Sequence, residues 1–207
     1  MNRRIATFAG RTLVAVLFLP VLLAGCGSSA NFERNAGGLE SRSADIRRES
    51  ALELGRTTVH DAELRARLIR RLSVLAQSDS DPLVRSAALN ALSMQDPKQA
   101  LDLARRVRTD TSPLVRWDAV KILARTYDIS LIPVLAELAA SDPDANARRE
   151  AAKALGKYDD PRSVAALIDR LTDGDLSVAH AARESLIHIS GGVDLGMKPE
   201  PWRKWLQ

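Results

Sequence analysis

A pattern of fourteen residues recurs along this chain at a nearly constant interval, so the fold must build one unit several times over. Asp79–Leu92 reads D-S-D-P-L-V-R-S-A-A-L-N-A-L, Asp110–Leu123 reads D-T-S-P-L-V-R-W-D-A-V-K-I-L and Asp142–Leu155 reads D-P-D-A-N-A-R-R-E-A-A-K-A-L, with starts 31 and 32 residues apart. Asp173–Leu186 carries the frame once more, and Ile46–Gly55 is a divergent earlier copy. Within each copy apolar residues recur at i, i+4, i+7 and i+8, with Ala on the side where neighbouring helices must approach closely. Each copy is expected to be an amphipathic helix.

Between the copies lie further helical patterns, over Asp61 to Ala76, Gln99 to Val107, Leu131 to Ala139 and Ser163 to Leu171. Asp96-Pro97, Ser130 and Asp160-Pro161 open members of this second set, as Asp81-Pro82 and Ser112-Pro113 open members of the first. An Asp or Ser cap followed by Pro in the first turn is helix-start chemistry. No run reads as a strand. A pair of such helices cannot bury its apolar face alone, so the pairs must stack.

Composition agrees. Hydrophobic residues make up 45% of the chain but aromatics only 4%, which suits short, closely packed helices. The single cysteine forbids an internal disulfide or a thiolate metal cluster. Arg3, Arg4 and Arg11 fall in the first 25 residues with no acid, and removing that segment lowers the formal charge from +4 to +1. The basic balance is thus partly an export signal, which argues against a nucleic-acid binder. Leu13–Ala24, interrupted by Pro20, is too short for a membrane span, which needs about 20 apolar residues.

The sequence Leu23-Ala24-Gly25-Cys26 resembles the lipobox of bacterial lipoproteins. The resemblance implies a signal peptide over residues 1–25, cleavage before Cys26 and lipidation of that residue, which would anchor the chain stably in a membrane. The enterobacterial sorting pattern, with Gly27 rather than Asp after the cysteine, points to the outer membrane, on its periplasmic face. Residues 26–38, rich in Gly, Ser and Asn with Phe32 the only large apolar side chain, read as a flexible tether.

The repeat unit is similar to the short bacterial HEAT repeat, the type also seen in phycobilin lyases, over roughly residues 43 to 190. The resemblance implies an all-α, right-handed α-solenoid of about four to five helix pairs, a repeat domain over 39–190, and a capping segment over 191–207. It also implies a structural ladder between successive repeats, made by the turn aspartate and the arginine six residues on: Asp79 with Arg85, Asp110 with Arg116, and Asp142 with Arg148. An Arg fork can satisfy a turn carboxylate and adjacent carbonyls together. Arg116 is expected to lie against Asp110. The last copy has Ala179 where the arginine would be, as befits a repeat with no further neighbour. Trp202, Trp205 and Leu206, in a tail similar to that of exported bacterial HEAT-repeat proteins, are read as one apolar side of a terminal cap.

Catalytic chemistry finds little to work with. The histidines are His60, His180 and His188, and no P-loop, G-x-G-x-x-G or G-x-S-x-G pattern is present. His180, Glu184 and His188 are spaced by four, but outer members two turns apart cannot share one metal unaided. No catalytic residue, metal ligand or cofactor is therefore assigned. The competing class, an enzyme or enzyme subunit related to HEAT-repeat bilin lyases, rests on the repeat alone.

What remains is a surface. Polar positions following the ladder arginines collect Trp117, Lys121 and Arg125 from one repeat and Arg149, Lys153 and Lys157 from the next. The same rows hold Ser86 and Asn90 before them and His180, Glu184 and His188 after them. A basic concave groove with an aromatic anchor suits an acidic peptide, an anionic glycan or a phosphorylated head group; the other reading is a set of solvated helix faces with Trp117 packed on its neighbour. The expected function is that of a membrane-anchored scaffold or adaptor binding an envelope protein or acidic ligand, with no nucleic acid as partner.

Overall fold

The computed structural model describes residues 26–207, so the expected signal peptide lies outside the described residues. The helices are α1 (Cys26–Gly38), α2 (Ala44–Arg56), α3 (Ala62–Ser78), α4 (Pro82–Gln95), α5 (Pro97–Val107), α6 (Pro113–Arg125), α7 (Ile132–Ser141), α8 (Ala145–Leu155), α9 (Pro161–Arg170), α10 (Leu176–Ile189) and α11 (Pro199–Leu206). No strand occurs among the described residues. Even-numbered helices from α2 to α10 pack each on the next, and every odd-numbered helix up to α9 packs on the even-numbered one that follows it. The result is an α-solenoid of five helix pairs, with α11 docked on α9 at its end.

The helix starts follow from their capping residues. Asp81 accepts from the amides of Leu83 and Val84, Asp96 from Gln99, Asp144 from Asn146 and Ala147, and Asp175 from Ser177. These bonds satisfy amides that have no partner within the helix. Two expected caps differ. The Ser112 side chain makes no capping bond, and Ser130 is itself capped by Asp128, because a 3₁₀ turn over Ile129–Leu131 precedes α7.

The stretch read as a flexible tether is instead α1, the first helix of the first pair. Phe32, Ala36 and Leu39 fall at i, i+4 and i+7, one face of a helix, and Phe32 and Leu39 are buried. The Leu39 carbonyl, just past the helix end, accepts from Arg71 Nη2 at 3.1 Å.

The arginine ladder joins each repeat to the next one. Arg47 grips Asp79, Arg85 grips Asp110, Arg116 grips Asp142 and Arg148 grips Asp173, always through Nε to Oδ2 and Nη2 to Oδ1 at 2.7–3.0 Å. The aspartate six residues before each of the last three arginines contributes its carbonyl instead: Nη1 of Arg85, Arg116 and Arg148 donates to the backbone oxygen of Asp79, Asp110 and Asp142. Arg116 thus pairs with Asp142 and not with Asp110. The guanidinium extends from the start of its helix toward the next turn, while its own turn presents backbone. Each ladder carboxylate also accepts the amide two residues on, of Asp81, Ser112, Asp144 and Asp175.

Close approach of the ladder helices is marked by two glycines at one repeat position. A Cβ on Gly55 would lie 2.9 Å from the Ala91 backbone, and one on Gly156 would lie 2.7 Å from Ser185 Cβ. At the far end Trp202 is wholly buried and its Nε1 donates to the Gly196 carbonyl at 2.8 Å. Trp205, expected on the same buried side, is 41% exposed and meets Trp202 edge-on, with ring centroids 6.1 Å apart. Three residues set the two rings about 60° apart around the helix, so with Trp202 at the centre of the buried face Trp205 lies at its edge.

Candidate functional site

Trp117 and Lys121 lie one turn apart on α6, and the structure brings them together. Lys121 Nζ sits 4.4 Å from the indole centroid, a cation–π distance, and 3.4 Å from Asp118 Oδ1. Asp118 is buried and accepts from Ser86 Oγ of α4 at 2.5 Å, so it ties two ladder helices together while holding the lysine. Lys121 is therefore half-buried and already partnered.

Arg149 of α8 lines a hollow together with the same indole. With Pro113, Leu114, Trp117, Asp144 and Asn146 it lines this open hollow, of about 330 Å³, between the starts of α6 and α8. Arg149 Nη2 donates to Asn146 Oδ1 at 2.9 Å, which orients the fork. Arg149 Nε and Trp117 Nε1 are both withdrawn from water and meet no acceptor. Asp144 Oδ1 is occupied by the amides that it caps.

Further along the helices the expected row divides. Arg125 is exposed, with Nη1 3.4 Å from Ser93 Oγ. Lys153 is exposed and borders a second hollow, of about 190 Å³, which it shares with Lys157, Glu184 and His188. Lys157 differs from the expected free cation: its Nζ donates to the Ala124 carbonyl at 2.5 Å and so caps the end of α6. The basic patch is thus two neighbourhoods, an aromatic one at Trp117, Lys121 and Arg149 and a mixed-charge one at Lys153, with Arg125 beside Ser93.

Capping from the following repeat is a second ladder. Gln95 Nε2 donates to the carbonyls of Leu54, Gly55 and Thr57, and Tyr158 Oη donates to the Thr126 carbonyl at 3.0 Å. Gln95 and Tyr158 stand sixteen residues after Asp79 and Asp142, so the repeat alignment held the signal, but unlike side chains at one position hid it. Arg47, the ladder arginine of the first copy, was likewise masked by that copy's divergence.

The chemistry available here is binding by hydrogen-bond donors, positive charge and one aromatic face. Among the described residues no three His, Cys, Asp or Glu gather as a metal site, and no helix is long and apolar enough to cross a membrane.

A family model of HEAT repeats matches residues 102–187, and the chain carries HEAT-like repeats. None of the curated proteins matches the sequence. The solved structure of Escherichia coli YibA is similar over 78% of this chain, with a TM-score of 0.68 and 21% identity, and this chain spans 60% of YibA. Two engineered proteins are similar as well. One has a TM-score of 0.55 at 21% identity, covering 84% of this chain and 85% of its own; the other has 0.53 at 20%, covering 77% and 79%. At such identities the likeness speaks for the fold alone.

Proposed function

We propose that the protein is a lipid-anchored scaffold of the bacterial envelope, held at the periplasmic face of the outer membrane, which captures an acidic segment of an envelope protein on its ladder-helix face. The observation that carries the binding reading is the Trp117–Lys121 pair with Arg149 lining the same hollow as the indole, an aromatic centre with two cations nearby. Arg125 and Lys153 supply exposed charge further along the same ladder helices. A HEAT-repeat solenoid typically presents surfaces for partners, which supports a non-catalytic role. The anchoring reading is supported by the lipobox sequence ending in Cys26.

The test uses charge reversal where the side chains are free. Arg125→Glu combined with Lys153→Glu should abolish capture of the partner from detergent-solubilised envelope and leave the melting temperature within about 1 °C, because neither residue is in the core. Capture by the unaltered protein should weaken as salt rises, since exposed charges are screened over about 8–10 Å. Capture that survives both treatments would show this face to be merely solvated. Cys26→Ser should release the protein from membranes or block its processing; unchanged membrane attachment would refute the anchor.

A further inference from the structure

The hollow beside Trp117 is lined by two side chains with unmet donors. Trp117 Nε1 is a donor only, and Arg149 carries donors only. Both unmet N–H groups, the indole's and Arg149 Nε, belong to side chains that line the same hollow. Both side chains are half-buried as a whole, so modest rotation lets an entering group reach them. The walls add apolar surface from Pro113 and Leu114. The one acid at the rim, Asp144, has an oxygen committed to two backbone amides at a helix N-terminus, where its charge is partly offset.

Resting on the scaffold reading above, we infer that this hollow is a carboxylate-recognition subsite, which takes the acidic side chain of a partner's extended peptide between Trp117 and Arg149. A carboxylate is acceptor-only and binds guanidinium forks in bidentate fashion, so it matches two unmet donors where an amide would bring donors of its own. Asn146 holds the Arg149 fork in place through Nη2, which leaves Nε for the ligand. Lys121, 4.4 Å from the indole centroid, adds positive potential. The site selects charge, and the apolar walls accept the methylenes of a glutamate.

The test is a titration of the full-length protein in detergent micelles, labelled with nitrogen-15 at the indoles, with blocked hexaglutamate and, separately, blocked hexaglutamine. The chain has three tryptophans, and Trp117→Phe identifies the resonance that matters. Hexaglutamate should move the Trp117 indole N–H saturably, hexaglutamine should not, and Arg149→Gln should weaken the response at least tenfold. Hexaglutamate binding that leaves the Trp117 indole unmoved would overturn the subsite and leave the cationic-face reading standing. An equal response to hexaglutamine would also overturn it, because charge would not be what is read. Failure of hexaglutamate to bind at all would overturn both.

Discussion

Replacing Arg116 with Ala removes one rung of the ladder at mid-stack, and the structure sets the size of the loss. The guanidinium makes two bonds of 2.9 Å to Asp142 and donates through Nη1 to the carbonyls of Asp110 at 2.9 Å and Thr111 at 3.3 Å. Its side chain is 11% exposed and that of Asp142 is 2% exposed. Without the arginine, the Asp142 carboxylate keeps only the Asp144 amide, at 2.8 Å. Breaking a buried pair by removing one member costs about 3–5 kcal/mol. Because the arginine still touches water, the lower end, about 3 kcal/mol, applies. For a domain of about 150–250 residues each kcal/mol lowers Tm by about 2–4 °C, so Arg116→Ala should melt about 6–12 °C early when followed by circular dichroism. Removing Asp142 as well should recover part of that loss, with a non-additivity of about 1 kcal/mol or more, since the two side chains share one interaction. Arg116→Lys should fall between, because charge survives and the fork does not. An Arg116→Ala variant that melts within about 2 °C of wild type would refute the structural role, and one that also loses its partner would make Arg116 a ligand-binding residue.

Burial pushes the carboxyls of Asp79, Asp110 and Asp173 up, but the hydrogen bond from the ladder arginine, a backbone amide and nearby arginine charges outweigh it and hold all three below the usual range. A depressed carboxylate contributes stability that is present above its unfolded pKa, about 3.9, and is lost as pH falls through the folded value. The melting temperature should therefore be level between pH 8 and about 5 and fall below about pH 4; an unchanged value at pH 3 would contradict the ladder's energetics. Trp202→Ala should cost about 3–5 kcal/mol in urea unfolding, as buried aromatics do, and Trp205→Ala less than about 1 kcal/mol; equal effects would contradict the asymmetric cap. Gly156→Ala should destabilise by about 1–3 kcal/mol through overpacking against Ser185, and a neutral or stabilising effect, read by the same unfolding assay, would show that α8 and α10 can separate freely.

Much of the fold was legible because helices are local objects. The Asp-Pro starts and the Ala stripes act over i to i+8, within one helix, and the period of 31–32 residues repeats them, so together they placed both helix sets and the solenoid. Even the helix read as a tether carried its stripe, at Phe32, Ala36 and Leu39, though the Gly- and Ser-rich composition obscured it. Which arginine meets which aspartate lies outside that range. A spacing of six within each copy cannot tell Asp110 from Asp142 as the partner of Arg116, because the choice depends on how far one ladder helix is displaced from the next, about 8–10 Å with a rotation that stacking sets. The candidate site was divided on the same ground. Sequence position put Lys121, Arg149, Lys153 and Lys157 in one row, but the distance between helix axes let Lys157 reach the Ala124 carbonyl and Asp118 hold Lys121, leaving Trp117 and Arg149 around a hollow of their own.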